Sequence, residues 1–112
     1  MITVDNGITA LKEAAHAQQL GIDMVITDHH KPLEQLPQGY AVINPQCSPD
    51  YPMKEICGAT VALKVVLGVA DALHVSRARK KEMLDWLLPF ATIATVADCM
   101  PLIGENRLIV KQ

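Results

Sequence analysis

Within Val25-Ile26-Thr27-Asp28-His29-His30-Lys31-Pro32, three β-branched residues lead to a carboxylate and two adjacent imidazoles. Pro32 stops the strand. A strand with Asp-His-His at its tip puts metal-ligand chemistry where open α/β sheets hold their sites, beyond the carboxyl ends of the strands. Two neighbouring His side chains point to opposite faces of a strand, so packing does not account for both. A second β-branched run, Ile2-Thr3-Val4, ends at Asp5, and a small-residue stretch, Phe90 to Ala97, ends at Asp98. Alone, Asp5 before Asn6-Gly7 is an ordinary turn residue, and Asp98 is an ordinary residue after a helix. Together with the imidazoles they are donors from three separate elements, a mix suited to a Mn²⁺-type ion. Lys31 and Arg107 stand near these elements and are candidates to touch phosphate.

Those side chains need elements to bring them together. Ile2–Val4 reads as a strand. Ile8 to Leu20 reads as a helix with Ile8, Leu11, Ala14, Ala15 and Leu20 on its apolar stripe and Gly21 as its stop. Met24 to Thr27 is the next strand. Strand, helix, strand in this space predicts a βαβ unit with parallel strands and a right-handed crossover. Neighbouring strands lie about 4.8 Å apart, so the tips at Asp5 and Asp28-His29-His30 can share one ion. Lys31 to Tyr40 is a loop, Ala41–Ile43 a third strand ended by Asn44-Pro45, and Cys47 to Glu55 irregular. Gly58 to Leu73 is a helix apolar almost all round and therefore expected to be largely buried. Ser76 caps a helix running to Leu88, where Pro89 kinks it or begins another, Phe90 to Ala97. Gly104 to Arg107 is a turn, and Leu108-Ile109-Val110 begins a further element. The fold class is α/β, a three-strand parallel sheet flanked by helices.

Composition bounds the function. The chain has 112 residues, enough for one modest core, and half are apolar, which excludes a disordered chain. Its net charge of -2 lacks the basic footprint of a self-sufficient nucleic-acid binder. If the substrate is DNA, a metal or a further domain must attract the phosphates. The cluster Arg77, Arg79, Lys80 and Lys81 reads as a solvated helix face, without the aromatic interleaving of a base-stacking surface. His16 and His74 read as surface residues. Three cysteines without a C-x-x-C pair support neither a disulfide framework nor a zinc knuckle; they read as buried free thiols in a reducing cytosol. The uncharged run Trp86 to Ala97 falls well short of the roughly 20 residues of a membrane span. No secretory signal pattern opens the chain.

Ile2-Thr3-Val4-Asp5-Asn6-Gly7-Ile8, Val25-Ile26-Thr27-Asp28-His29-His30, and Ala97-Asp98-Cys99-Met100-Pro101-Leu102 with Gly104-Glu105-Asn106-Arg107 resemble the DHH phosphoesterase superfamily. Ile43-Asn44-Pro45 and Cys57-Gly58-Ala59 also fit. The Asp-Asn-Gly-Ile and Gly-Glu-Asn-Arg segments are most similar to its single-stranded-DNA-specific exonuclease branch, rather than the pyrophosphatase or oligoribonuclease branches. The resemblance runs the length of the chain. It implies phosphodiester hydrolysis with Mn²⁺ or Mg²⁺ in a two-metal site, on single-stranded DNA from its 5′ end, in cytoplasmic DNA repair and recombination. Single-stranded-DNA-binding protein is an implied partner. By motif, Asp5 would bridge two ions, His29 and Asp98 would ligate one, and His30 would lie near the scissile phosphate. Asp28 would orient a ligand. The resemblance also implies a strand with paired aspartates before Asp5 and later substrate-binding and oligonucleotide-binding domains. The chain is thus expected to be a partial DHH domain lacking its N-terminal strand and inactive alone. The alternatives are a DHH-family oligoribonuclease or cyclic-dinucleotide phosphodiesterase, and a non-catalytic truncated copy.

Overall fold

The computed structural model describes residues 1–111. Three strands, β1 (Ile2–Val4), β2 (Val25–Thr27) and β3 (Ala41–Ile43), form one parallel sheet in the order β1-β2-β3. Ile2 pairs with Val25 and Val4 with Thr27, and Thr27 in turn pairs with Ile43. All three strands therefore end level, and the polar residues that follow them emerge at one sheet edge. The backbone ladder runs one step further there. Asp5 donates its N–H to the Thr27 carbonyl at 3.0 Å, and Asp28 donates to Ile43 at 3.1 Å.

The crossover helix α1 (Leu11–Gln19) starts three residues later than the apolar periodicity predicts. Ile8 lies outside the helix and is buried, with its N–H donated to Asp28 Oδ2 at 2.9 Å. Ala14 and Ala17 of α1 pack on Met24 and Ile26, with Val42 against them. Methyl-sized side chains let the helix approach the sheet closely. Ile26 is wholly buried, so Ile26→Ala would cost about 2–5 kcal/mol. Gly21 ends α1 in the left-handed region, and Ile22 donates back to Ala17.

The helix α2 (Gly58–Ala72) contacts β1 and β2. Gly58, Thr60, Val61, Leu63 and Ala70 are buried, whereas Gly68, Val69 and Leu73 are exposed. It is therefore less enclosed than its apolar sequence predicts, because no element covers its outer side among the described residues. The next helix, α3, runs unbroken from Arg77 to Ala97 through Pro89. Of the two expectations at Pro89, a kink or a new helix, the new helix does not begin there. Proline removes one helical N–H and crowds the preceding turn, but Pro89 is exposed, so water can satisfy the carbonyl left free. Ser76 caps α3 through its side chain, as its position predicts. Gly104 to Arg107 is the first turn of a helix, α4 (Gly104–Lys111), rather than a loop.

Cys57, Thr60 and Thr95 join α2 to α3: the Cys57 Sγ lies 3.3 Å from Thr60 Oγ1 and 3.5 Å from Thr95 Oγ1. All three cysteines are free. Only Cys57 is fully buried, and Cys99 is exposed, contrary to the expectation of buried thiols. Three of the four residues of the basic cluster are paired locally, Arg79 on Glu82, Lys80 on Asp71 and Lys81 on Asp85. His16 and His74 are exposed. Among the described residues no helix is long and apolar enough to cross a membrane.

Candidate metal centre

The site begins at the β1 tip. Asp5 adopts φ 63°, a left-handed conformation that aspartate tolerates better than most residues. Local side chains fix it there: Thr3 Oγ1 donates to the Asn6 carbonyl at 2.8 Å, and Asn6 Nδ2 to the Val4 carbonyl at 3.0 Å. The β2 tip is organised by Asp28, whose side chain is 2% exposed. Its Oδ1 accepts the His29 N–H at 2.8 Å and the His30 N–H at 3.2 Å, and lies 2.7 Å from His30 Nδ1. Burial pushes the Asp28 carboxyl up. The hydrogen bonds from Ile8, the His30 ring and the His30 and His29 amides outweigh that, and hold it below the usual carboxylate range. The same contact with Asp28 raises His30 above an ordinary histidine against the opposing effect of burial, with the charges of Asp28, Asp5 and Asp98 adding to the rise. Asn44, at the end of β3, donates its Nδ2 to the His30 carbonyl at 2.9 Å.

His29 is enclosed at this junction with its side chain 8% exposed. Its Nε2 lies 3.1 Å from Asp5 Oδ1 and 3.3 Å from Asp98 Oδ2. That nitrogen is buried and makes no hydrogen bond with acceptable geometry among the described residues. A buried, unspent imidazole nitrogen facing two carboxylate oxygens is the donor set of a divalent ion held by nitrogen and oxygen. The residues present therefore fit such an ion. Ligand atoms of Asp5, Asp28, His29 and His30 all lie within 4.8 Å of one another.

Asp98 reaches His29 because of how α3 ends. Asp98 caps the helix, Cys99 turns left-handed at φ 53°, and Met100 donates back to the Thr95 carbonyl at 3.0 Å. This is a Schellman closure with cysteine where glycine is usual. A cavity of about 250 Å³ opens beside the two carboxylates, walled by Gly58, Ala59, Ala94 and Ala97. Gly58 matters most: a Cβ there would stand 2.6 Å from Asp5 Cβ and Cγ. A larger apolar groove of about 510 Å³, between β3 and α2, contains none of these acids or imidazoles.

The structure thus brings Asp5, His29 and Asp98 together, and sets Asp28 behind the ring of His30 rather than behind that of the expected ligand His29, of which it holds only the backbone N–H. Lys31 and Arg107 are exposed and make no ion pair among the described residues. Reading the residues alone did not single out Gly58, Ala94 or Ala97 as lining the site. The only signal they carried was small size, next to Cys57 and before Asp98.

Fold and site together define an open parallel α/β domain with an acid–imidazole centre at its strand tips. The family model "DHH family, N-terminal domain" matches residues 1–95, and the chain belongs to the DHH family. A single-stranded-DNA-specific exonuclease RecJ of Bacillus subtilis is 44% identical over 110 residues, which is 97% of this chain and 13% of the relative. Its Escherichia coli counterpart is 34% identical over 122 residues, covering all of this chain and 20% of the relative. A crystal structure of RecJ from Thermus thermophilus in complex with Mn²⁺ superposes with a TM-score of 0.83 at 34% identity, over 98% of this chain and 16% of that one. A second, an exonuclease RecJ bound to manganese, gives 0.82 at 34% identity over 98% and 26%. The chain spans no more than about a quarter of the length of any of these.

Proposed function

We propose that this chain is part of the DHH domain of a RecJ-type exonuclease, hydrolysing phosphodiester bonds of single-stranded DNA from the 5′ end in the cytoplasm. The observation that carries this reading is the buried His29 Nε2 set between Asp5 and Asp98. Manganese in two similar solved structures supports Mn²⁺ as the ion, with Mg²⁺ an alternative of the same chemistry. The names of the relatives favour single-stranded DNA over short oligonucleotides or cyclic dinucleotides. Single-stranded-DNA-binding protein is the partner this reading implies.

Asp5, His29 and Asp98 would hold one ion, with Asp5 shared towards a second. The chemistry an ion held there would supply is polarisation of a phosphoryl oxygen and a more nucleophilic water at neutral pH. His30 has a separate task. Asp28 engages its Nδ1 and favours the imidazolium, while 59% of its side chain is exposed, so Nε2 is available to donate to a phosphate oxygen. Lys31 and Arg107 would meet phosphates further along the strand.

The test is nucleotide release from 5′-labelled single-stranded DNA by the whole protein in Mn²⁺, with a dinucleotide as the competing substrate. His29→Ala and Asp98→Ala are expected to lose both activity and Mn²⁺ affinity. His30→Ala is expected to keep Mn²⁺ affinity and lose turnover by about 10²–10⁴-fold. Full activity in Asp98→Ala, or preference for the dinucleotide, would overturn the reading.

A further inference from the structure

Two asparagines are buried near the site, and one of them touches neither the ligands nor their strands. Asn106 lies in the first turn of α4 and is fully buried. Its Nδ2 donates to the Glu55 carbonyl at 2.7 Å and to the Pro101 carbonyl at 3.0 Å. Its Oδ1 is buried without a hydrogen-bond partner among the described residues. Both N–H groups are thus spent on two separate segments while the acceptor goes unused, which is costly for a buried amide unless those two bonds matter.

The two segments are the flanks of the metal centre. Glu55 leads through Ile56 and Cys57 to Gly58, the residue whose missing Cβ admits Asp5. Pro101 follows Asp98 through Cys99 and Met100, the left-handed turn that presents Asp98 to His29. A non-glycine residue at φ 53° persists only where its surroundings over-determine it. The hydrogen bond to Pro101 is one such restraint. The same α4 turn is anchored by Glu105, 3.0 Å from Lys64 Nζ and 3.2 Å from the Tyr51 hydroxyl. One carboxamide therefore joins the segment that leads to Gly58 and the segment that follows Asp98.

We infer that Asn106 is a positioning residue for the metal centre: by binding the Glu55 and Pro101 carbonyls it fixes the spacing of Asp5 and Asp98 about His29. The inference rests on the metal-centre reading above. Aspartate has the same shape but puts acceptors against two carbonyls, and alanine removes both hydrogen bonds.

The experiment titrates Mn²⁺ into the whole protein by calorimetry, alongside its Asn106→Asp variant and a control, Thr92→Val. The control removes the hydrogen bond from Thr92 Oγ1 to the Ile109 carbonyl, which docks the far end of α4. Thermal unfolding is recorded for all three, and the visible absorption of bound Co²⁺ reports ligand geometry. Asn106→Asp is expected to weaken Mn²⁺ about 10-fold or more and to change the Co²⁺ bands. Thr92→Val is expected to lower the unfolding temperature and leave both unchanged. Unchanged Mn²⁺ affinity in folded Asn106→Asp, or equal losses in the two variants, would overturn the role of Asn106 alone. Failure of the unaltered protein to bind Mn²⁺ would overturn the metal-centre reading and this inference with it. If Asn106→Asp does not fold, hydrogen exchange of the unaltered protein decides. Mn²⁺ should then slow exchange in residues 53–56 and 101–106 together, and protection confined to the strand tips would overturn the inference.

Discussion

Gly58 has no side chain, and the place of Asp5 depends on it. Adding a methyl group there sets backbone-attached carbon against Asp5 at 2.6 Å, and neither helix α2 nor the β1 turn can yield cheaply. Gly58→Ala is expected to cost about 1–3 kcal/mol of stability and to weaken Mn²⁺ by about 10-fold or more, read by urea denaturation and calorimetry on one preparation. Normal Mn²⁺ affinity in the folded variant would show that Asp5 is not required where it stands. Asp28 offers a second test. Its two oxygens accept from Ile8, His29 and His30 while nearly enclosed. Asp28→Asn keeps the shape but turns an NH₂ group towards one of those donors, leaving it unpaired. The expected loss is about 1–3 kcal/mol. An equal urea midpoint for the two proteins would mean the loop has another anchor.

Three helices end in the same way, and only one of them uses glycine. After α1 the left-handed residue is Gly21, after α2 it is His74 at φ 54°, and after α3 it is Cys99 at φ 53°. Val75 and Met100 close the second and third motifs by donating to Ala70 and Thr95. A side chain in this conformation costs roughly 1–2 kcal/mol, against roughly 0.5–1 kcal/mol for the extra freedom of glycine in the unfolded chain. His74→Gly is therefore expected to raise stability by about 0.5 kcal/mol, visible as a small upward shift in Tm. Cys99→Gly should do the same while loosening the turn that carries Asp98, so that stability rises as Mn²⁺ affinity falls. A drop in Tm for His74→Gly would refute the strain argument.

At the scale of the molecule, the chain leaves apolar surface open in two places. β1 is paired on one side only among the described residues, with Ile2 67% and Val4 49% exposed. Along α3, Trp86, Phe90 and Ile93 lie on one exposed stripe, the first two rings meeting edge to face at 5.9 Å. A strand edge with apolar neighbours invites pairing with another chain, and a net charge of -2 gives little repulsion to prevent it. The 112-residue chain is expected to self-associate in sedimentation velocity as its concentration rises. Ile2→Lys should shift it towards monomer with an unchanged circular dichroism spectrum. A monomer at all concentrations would mean that these surfaces do not attract one another in water.

The sequence by itself determined the strand tips and their chemistry. A β-branched run ending in polar residues is a local signal, and a short helix between two such runs leaves only a parallel, right-handed arrangement. Those two facts placed Asp5 and His29 on neighbouring strands. Periodicity also placed α1 and α2 to within a few residues, since burial of one face is written in the spacing of apolar side chains. It failed at the start of α1, where Asp28 takes the Ile8 N–H from 20 residues away. It failed again at Pro89, which sits exposed inside an unbroken α3, and at Gly104, where a helix begins rather than a turn. Asp98 was legible as a third donor, and what only the tertiary structure decided is how that side of the site is built. Asp98 meets His29 through a left-handed cysteine, Gly58 makes room for Asp5, and Asn106 reaches a carbonyl 51 residues away. Each of these is a contact between segments distant in the chain, and local spacing holds no record of which distant segments will touch.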